Sequence, residues 1–251
     1  GEDIEFRFGE PGIGKPRKRD YSKVEFGLGI GTHLISTSPG QMGITYFTDA
    51  ADFPEAILSV NNGVKDRNFE VIANWDFDIY FRKALFLRFG TGFDFTSSLY
   101  KERSLGLGTR LNLSKKRPFH VKAIAQYSHL RYFRKIDEAR NDFGKFEIDG
   151  KKFNADRINL YYGSTNHTLK TSIEFSLELD RHRQAYLRGA FVWPFAKEQQ
   201  VRFKERNQWF KKKKNIPVED RQIIVDQNGQ PFDGSLMPEQ TFTLTFGYLF
   251  F

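Results

Sequence analysis

Residues 241–251 read TFTLTFGYLFF, with an apolar side chain at every second position. Successive side chains of an extended strand point to opposite faces, so one face of this segment is apolar and the other carries threonine and glycine. The apolar face comprises Phe242, Leu244, Phe246, Tyr248 and Phe250. A strand of this kind is typical of a wall that faces lipid on one side.

The same alternation occurs in seven other segments of the chain. The clearest is 68–82, where every odd position from Phe69 to Phe81 is apolar. The predicted strands are 24–35, 68–82, 85–95, 105–113, 119–133, 169–179, 185–195 and 241–251. Each is long enough for a tilted strand to cross a bilayer, which takes about 9–11 residues.

The connections between these segments alternate between short and long. Short turns therefore share one end of the sheet, as in outer-membrane barrels with an even number of strands. The pattern predicts an all-β fold, an eight-stranded antiparallel up-and-down transmembrane β-barrel with long outer loops. Residues 22–251 would form the barrel, and residues 1–21 a periplasmic N-terminal tail. Both termini would then be periplasmic, and the long loops would lie outside.

Composition narrows the classes of function. The chain has 27 phenylalanines and no cysteine, which excludes a disulfide framework and thiolate chemistry. The sequence has no run of about 18 apolar residues, so it predicts no transmembrane helix. The mean hydropathy of −0.56 is not decisive, because barrel strands alternate polar and apolar residues. Residues 1–10 lack the pattern of a signal peptide, so we expect a mature N-terminus.

Over about residues 24–251 this pattern resembles the small eight-stranded outer-membrane barrels of Gram-negative bacteria, the OmpA/OmpX architectural group. The C-terminal signature of that group is matched here, displaced by one position because Phe251 follows Phe250. The resemblance implies insertion by the barrel-assembly machinery, with Phe242, Leu244, Phe246, Tyr248, Phe250 and Phe251 as the assembly signal. FGLGIG (26–31) and RFGTGFDF (88–95) are similar to Bacteroidota barrels, including PorT-like components of the type IX secretion apparatus.

The faces opposite the apolar ones carry nearly balanced acids and bases. An eight-stranded barrel is only wide enough for side chains to fill its interior, so these charges are expected to pair in the lumen. The predicted network is Glu25, Glu70, Asp76, Asp78, Arg88, Asp94, Arg110, Lys122, Lys170, Glu174, Glu178 and Arg188. An ion or proton path is the alternative reading of the same residues.

Catalytic signals are weak. Ser128 and His129 are adjacent, but neighbours on a strand point to opposite faces and cannot form a nucleophile and base pair directly. His120 is expected in the lumen network, and His33, His167 and His182 at strand ends or in connections. No histidine pair has metal-ligand spacing. The sequence therefore predicts no catalytic residue, no metal site and no cofactor.

The long loops carry an excess of positive charge, within a formal net charge of +8. Asp149-Gly150 in loop three and Asn228-Gly229 in loop four (196–240) predict β-hairpins that extend the walls. The candidate contacts with a partner or with lipopolysaccharide are Arg202, Lys204, Arg206, Trp209, Lys211, Lys212, Lys213 and Lys214. Phosphates or an acidic protein would suit this surface. Nucleic acid is not expected, because no recognised nucleic-acid-binding fold accompanies the charge.

These observations favour a non-enzymatic outer-membrane barrel that serves as an accessory or interaction subunit of an envelope complex, with secretion as the more specific expectation. Its expected partners are outer-membrane lipids, lipopolysaccharide and other envelope proteins. Three alternatives stay open: an outer-membrane lipid-modifying enzyme using Ser128 or His129, a narrow channel, and a soluble lipocalin-like barrel.

Overall fold

The computed structural model describes residues 24–37, 40–47, 56–64, 67–95, 100–112, 119–140, 146–180, 182–206, 212–218, 222–232, 234, 236 and 240–251. This part of the chain is built from β-strands. They are β1 (Val24–Thr37), β2 (Gly40–Phe47), β3 (Ala56–Val64), β4 (Arg67–Tyr80), β5 (Leu85–Asp94), β6 (Lys101–Asn112), β7 (Phe119–Arg140), β8 (Phe146–Ile148), β9 (Lys151–Phe153), β10 (Arg157–Glu178), β11 (Arg183–Glu205), β12 (Lys213–Pro217), β13 (Ile223–Gln227), β14 (Gln230–Pro231) and β15 (Thr241–Phe250). The predicted N-terminal tail, 1–21, lies outside the described residues. Within them, no helix is long and apolar enough to span a membrane.

Eight of these strands form a closed antiparallel ring. Its order is β1, β4, β5, β6, β7, β10, β11 and β15. β1 closes the ring by pairing with both β4 and β15, so Ile30 lies opposite Ala73 on one side and Phe246 on the other. β10 pairs in the same way with β7 and β11. The predicted eight-stranded antiparallel barrel is confirmed.

The outside of the ring carries a continuous apolar belt. Ile30 is 63% exposed, Leu107 60% and Phe246 55%, and most other outward positions at this level are also apolar. An exposed apolar surface that runs around a whole protein would be very unfavourable in water. Closed barrels satisfy every backbone hydrogen bond between strands, which is what lipid demands. The belt is therefore the membrane-spanning part of the wall.

Three strands continue far beyond the belt. β7 and β10 have 22 residues each and β11 has 23, roughly 70 Å each at the usual rise. The predicted ends at 119–133, 169–179 and 185–195 were too short. The reason is that the alternation changes phase along these strands. In β10, the apolar residues Leu169 and Ile173 face lipid, whereas Leu160 and Tyr162 are fully buried on the inside.

Two bulges adjust these long strands. Leu160 of β10 pairs with Asp137 of β7, and Tyr161 of β10 pairs with Lys135 of β7. One residue of β7 is therefore extra at this point. Between β10 and β11, His167 pairs with Ala196 and Thr168 with Pro194, so one residue of β11 is extra there. A bulge shifts which residues of a strand face inward, and it increases the local twist. After its bulge, β11 turns Val201 and Phe203 inward.

Beyond the belt, the extended walls and the connections form a structure that we call the head. β14, β13, β2 and β3 form a four-stranded sheet, β12 pairs with β11, and β8 pairs with β9. Its core contains Met42, Ile44, Tyr46, Leu58, Val64, Leu130, Tyr132, Ile148, Phe153, Ile158, Leu160, Tyr162, Val201, Phe203, Ile216, Ile223, Val225 and Leu236. The head is thus packed like a water-soluble domain, with its apolar side chains inside.

The turns of the head agree with the sequence signals. Asp149 and Gly150 have φ of 46° and 68°, and Asn228 and Gly229 have φ of 52° and 78°. Positive φ at both central residues is the type I′ geometry that these dipeptides favour. The predicted hairpins in loops three and four are therefore confirmed. The hairpin β2–β3 in the first connection, and its pairing with β13, were not predicted.

Candidate functional site: the ion-paired lumen

The lumen at belt level contains eight buried charges, which we call the inner network. They are the acids Glu25, Asp76, Asp78 and Glu174 and the bases Arg88, Arg110, Lys122 and Arg188. Each belongs to the predicted set and lies at an inward position of its strand. The four acids and four bases leave no net charge.

Lys122 and Arg88 are the centre of the inner network, and both are fully buried. The Lys122 ammonium donates to Glu25 at 2.5 Å and to Asp78 at 2.8 Å, and it lies 3.4 Å from Glu174. The Arg88 guanidinium holds both oxygens of Asp78, at 2.6 and 2.7 Å, and donates to Glu174 at 2.8 Å. Three carboxylates from three strands are thereby tied to two cations.

Two further bases complete the inner network. Arg110 donates to Glu25 at 2.6 Å, and the Tyr80 hydroxyl donates to the same carboxylate at 3.0 Å. Arg188 donates to Asp76 at 2.6 Å and lies 3.6 Å from Glu174. A buried charge costs several kcal/mol unless it is paired and hydrogen-bonded. Every charge here has an opposite partner, so the network fills the lumen without an isolated ion.

A second group lies nearer the head, and we call it the outer cluster. Lys170 donates to both oxygens of Glu102 at 3.0 Å, and the Tyr100 hydroxyl donates to Glu102 at 2.8 Å. His33 stands edge-on to Tyr100, with ring centroids 5.3 Å apart, and its Nε2 lies 2.6 Å from the Thr241 hydroxyl.

The positions of two histidines differ from the sequence-based expectation. His33, expected at a strand end, is fully buried inside β1. His167, expected at a strand end or in a connection, lies within β10. Glu102 was missed because the predicted strand began at Leu105, although continuing the same alternation by three more residues places Glu102 on the inward face.

The other predicted lumen charges are not part of the inner network. Glu70 is fully buried, and the Tyr132 hydroxyl lies 3.4 Å from its carboxylate. Asp94 is half-buried and accepts from the backbone N–H of Tyr100 at 3.3 Å. Glu178 lies 3.2 Å from Nε2 of His120. The predicted single set is therefore divided into separate groups along the lumen.

The predicted basic surface of loop four is also divided. Arg202 and Lys204 lie on β11 rather than in a loop. Arg202 is largely buried, with its guanidinium 3.6 Å from the Phe133 ring centroid, so it offers little surface to a partner.

The remaining basic candidates of loop four are mostly engaged. Arg206 is ion-paired with Glu138 at 2.6 Å and Lys214 with Asp149, and Lys212 donates to the Lys152 carbonyl at 3.2 Å. Lys213 is exposed. Trp209 and Lys211 lie outside the described residues.

Ser128 and His129 face opposite sides of the wall, as the alternation predicts. The Ser128 hydroxyl is buried and hydrogen-bonded to that of Thr168 at 2.6 Å. The His129 ring is on the outside, 5.5 Å from the ring of His167. They form no nucleophile and base pair with each other.

The residues of the predicted assembly signal lie along β15 and face outward. Leu244, Phe246 and Tyr248 are exposed at belt level, and Phe242 and Phe250 are partly exposed. Phe251 follows the strand and is also exposed.

Comparisons with known proteins give structural neighbours only. No protein-family model matches the chain, and no curated protein matches it. Neisserial surface protein A aligns over 91% of this chain and 97% of its own, at 9% identity and a TM-score of 0.43. The outer membrane protein OprG from Pseudomonas aeruginosa aligns over 90% and 95%, at 10% identity and a TM-score of 0.37. Neither match bears on function, and the description as a membrane barrel rests on the strand ring and the belt.

Proposed function

We propose that this chain is a non-enzymatic barrel of the bacterial outer membrane that acts as an accessory or interaction subunit of an envelope complex. The termini would be periplasmic, and the head would project outside. The observation that carries the proposal is the packed core of the head. A long loop without a binding task needs no apolar core of its own, whereas a rigid binding surface does.

Contacts between different connections support a rigid head. The Tyr46 hydroxyl of the first connection accepts from the Asp149 N–H of the third at 2.8 Å. Tyr46 also packs against Phe203 of β11, with ring centroids 5.8 Å apart. The Tyr162 hydroxyl donates to the Gly234 carbonyl of the fourth connection at 2.5 Å. A surface ordered before binding loses less entropy on association, which favours a stable partner.

The lumen argues for interaction rather than transport. The inner network occupies the belt level, and the core of the head fills the barrel above it. Conduction would require buried ion pairs such as Arg88 with Asp78 to separate, which is costly in this environment. We therefore propose that the outside of the molecule, rather than its lumen, carries the function.

Secretion is the more specific form of the proposal. It follows from the similarity of residues 26–31 and 88–95 to Bacteroidota barrels such as the PorT-like type IX components. Other envelope proteins would be the main partners, lipopolysaccharide would surround the belt, and the barrel-assembly machinery would insert the chain.

Site-specific photo-crosslinking in intact cells tests the proposal. The crosslinker replaces Ile224, which is 50% exposed on β13 of the head, or Leu107, which is 60% exposed in the belt, as the matched control. We expect the head position to give one discrete protein adduct in stoichiometric yield, and the belt position to give none of it. Absence of an adduct from the head, together with migration of the native chain as a solitary barrel, would overturn the proposal.

The enzyme alternative has its own test. If the chain does not modify lipids, the variants Ser128→Ala and His129→Ala leave the acylation pattern of lipid A unchanged relative to the parent chain. A changed pattern that disappears in either variant would make the protein a lipid-modifying enzyme.

A further inference from the structure

The outside of the wall carries a group of cations between the belt and the head. Lys101 and Arg103 lie on β6, Arg131 on β7, Arg202 on β11 and Lys213 on β12. We call the four exposed residues, Lys101, Arg103, Arg131 and Lys213, the outer cationic patch, and the largely buried Arg202 lies beside it. Lys101 is directly opposite Arg131 in the strand register, and Arg202 projects from the far side of β10 toward the same area. All four residues of the patch are exposed.

Most of the patch lacks a counter-charge. Among the residues that the structure describes, no carboxylate lies within 4.0 Å of the charged nitrogens of Lys101, Arg103 or Arg131. Other cations of the outer part behave differently, because Arg206 is paired with Glu138 and Lys214 with Asp149. The patch is thus a local excess of positive charge rather than part of an ion-pair network.

The positive charges in and beside the patch also repel one another. Partial burial, Arg202 and Arg131 hold the pKa of the Lys213 ammonium below its usual range. Burial and the Arg131 charge lower the pKa of Arg202 to about 10. Crowded like charges raise the energy of the free protein, and a bound anion would relieve this repulsion.

The patch lies immediately above an aromatic cluster on the outside of the wall. The Tyr127 ring stacks on His167 with centroids 5.8 Å apart, and Phe195 lies 6.4 Å from His167. Aromatic side chains of this kind mark the level of the lipid headgroups in membrane barrels. Arg131 is four residues beyond Tyr127, about 13 Å along the strand, on the side toward the head.

Directly below, the lipid-facing wall has an apolar groove of about 700 Å³. Its floor is formed by small side chains on four neighbouring strands: Thr109, Ala123, Ala125, Thr171 and Gly189. Larger apolar side chains, including Leu107, Phe175, Phe191 and Phe242, form its sides.

The groove and the patch share strands β6 and β7. Ala125 is six residues below Arg131 on β7, about 20 Å along the strand. For a strand tilted by roughly 45°, this is about 15 Å along the membrane normal, half of the hydrocarbon core. That is the depth an acyl chain reaches when its headgroup sits at the level of the patch.

We propose that this side of the wall binds one lipopolysaccharide molecule of the outer leaflet, with the lipid A phosphates on the outer cationic patch and an acyl chain in the groove. The inference rests on the orientation given in the proposed function, with the head outside. Several cations around one area suit the multiple phosphates of lipid A, and its several chains suit a groove that spans four strands. A phospholipid offers one phosphate and would use less of the patch.

Binding can be measured with the purified full-length barrel in detergent, by native mass spectrometry and by displacement of a fluorescent lipopolysaccharide. The probes are hexa-acylated lipopolysaccharide, the same molecule after chemical dephosphorylation, and phosphatidylglycerol. We expect the parent chain to prefer intact lipopolysaccharide to both other probes by roughly tenfold or more, because charge-assisted hydrogen bonds to phosphate are the strong ones.

Two variants separate the headgroup from the chain. Arg103→Gln with Arg131→Gln should weaken binding of intact lipopolysaccharide by roughly tenfold or more and abolish the preference over the dephosphorylated form. The control is Lys152→Gln, which removes an exposed cation of the head and should change nothing. Ala125→Phe fills the groove and should weaken binding of both lipopolysaccharide forms, whereas Leu28→Phe, on the opposite side of the barrel, should not.

All five substituted positions face outward, so folding is checked by the resistance of the barrel to unfolding in cold detergent gels. Equal affinity of the parent chain for the dephosphorylated probe would overturn the role of the patch. Equal affinity for phosphatidylglycerol would overturn the assignment to lipopolysaccharide. Failure of this assay leaves the crosslinking result at Ile224 unaffected, so the two proposals fail separately.

Discussion

Replacing Lys122 with methionine tests whether the inner network is held together by charge balance. Lys122 contacts three carboxylates, those of Glu25, Asp78 and Glu174. Methionine keeps most of the side-chain volume but removes the charge. The network then holds four acids and three bases, so one negative charge in the lumen is uncompensated.

The contacts set the expected magnitude. Removing one partner of a buried ion pair costs about 3–5 kcal/mol of stability. After Lys122→Met, Glu25 keeps Arg110, and both Asp78 and Glu174 keep Arg88. Because no carboxylate loses its last cation, we expect the lower end, about 3 kcal/mol.

A second substitution restores the balance. Asp78→Asn in the Lys122→Met background leaves three acids and three bases, and each remaining charge keeps an opposite partner. Groups in one network are coupled by about 0.5–3 kcal/mol, so the double variant should be more stable than Lys122→Met alone by at least about 1 kcal/mol. Simple addition of two losses would give the opposite order.

The measurement is a urea titration of each variant folded in lipid vesicles. Trp75 faces lipid and is half exposed on the protein surface, so its fluorescence reports insertion. The control is Lys152→Met, whose partner Glu147 is 3.9 Å away on the exposed surface and whose loss should cost less than about 0.5 kcal/mol. The charge-balance argument is wrong if Lys122→Met matches the control, or if the double variant is less stable than the single one.

Three further predictions concern the wall, the belt and the head, all measured by urea titration. A Cβ at Gly163 would lie 2.6 Å from a backbone atom of β7, so Gly163→Ala should lower the stability by about 1–3 kcal/mol. Gly63→Ala is the control, because open space surrounds Gly63, and it should cost little. Equal effects would contradict the close approach at Gly163. Phe246→Arg puts a charge in the belt and should cost about 2–4 kcal/mol, while Ile224→Arg in the head should be nearly neutral; similar values would misplace the membrane. Phe203→Ala leaves a cavity at a fully buried site and should lower the stability by about 3–5 kcal/mol. It should also make the head, but not the belt, sensitive to protease. A protease-resistant head would contradict a shared core.

The belt was predictable because its signal is local. Lipid favours apolar residues at the outward positions, so a strand such as β4 shows its register in its own sequence. The tight turn after Phe81 was predictable for the same reason, since apolar alternation resumes at Leu85. These features depend on neighbouring residues only.

The ion pairs were predictable as a set but not as pairs. The alternation identifies Glu25 and Lys122 as inward-facing, yet the two residues are 97 positions apart in the chain. Their contact depends on the stagger of every strand between them, which no local pattern specifies. For the same reason, the separation of the inner network from the outer cluster emerges only in three dimensions.

Basic character alone did not predict exposure. Arg202 belongs to a basic segment, but its guanidinium lies on the Phe133 ring. This contact is possible because Gly163, between Phe133 and Gln200 in the register, has no side chain to intervene. A prediction from the sequence would need to know that these three strands are adjacent.

The level of the membrane surface can be read independently from three features of β10 and its neighbours. The apolar residues of β10 change from the inside to the outside between Tyr162 and Leu169. The aromatic cluster on the outside is centred on His167, and the β11 bulge is at the same level, where the register passes from His167 to Thr168. The change of phase has a physical cause, because water requires the apolar residues inside and lipid requires them outside. The three features depend on different interactions and still place the boundary within a few residues of His167. The outer cationic patch begins just beyond that boundary, where headgroup phosphates lie. The proposed lipid site therefore lies at the level where the surroundings of the wall change from lipid to water.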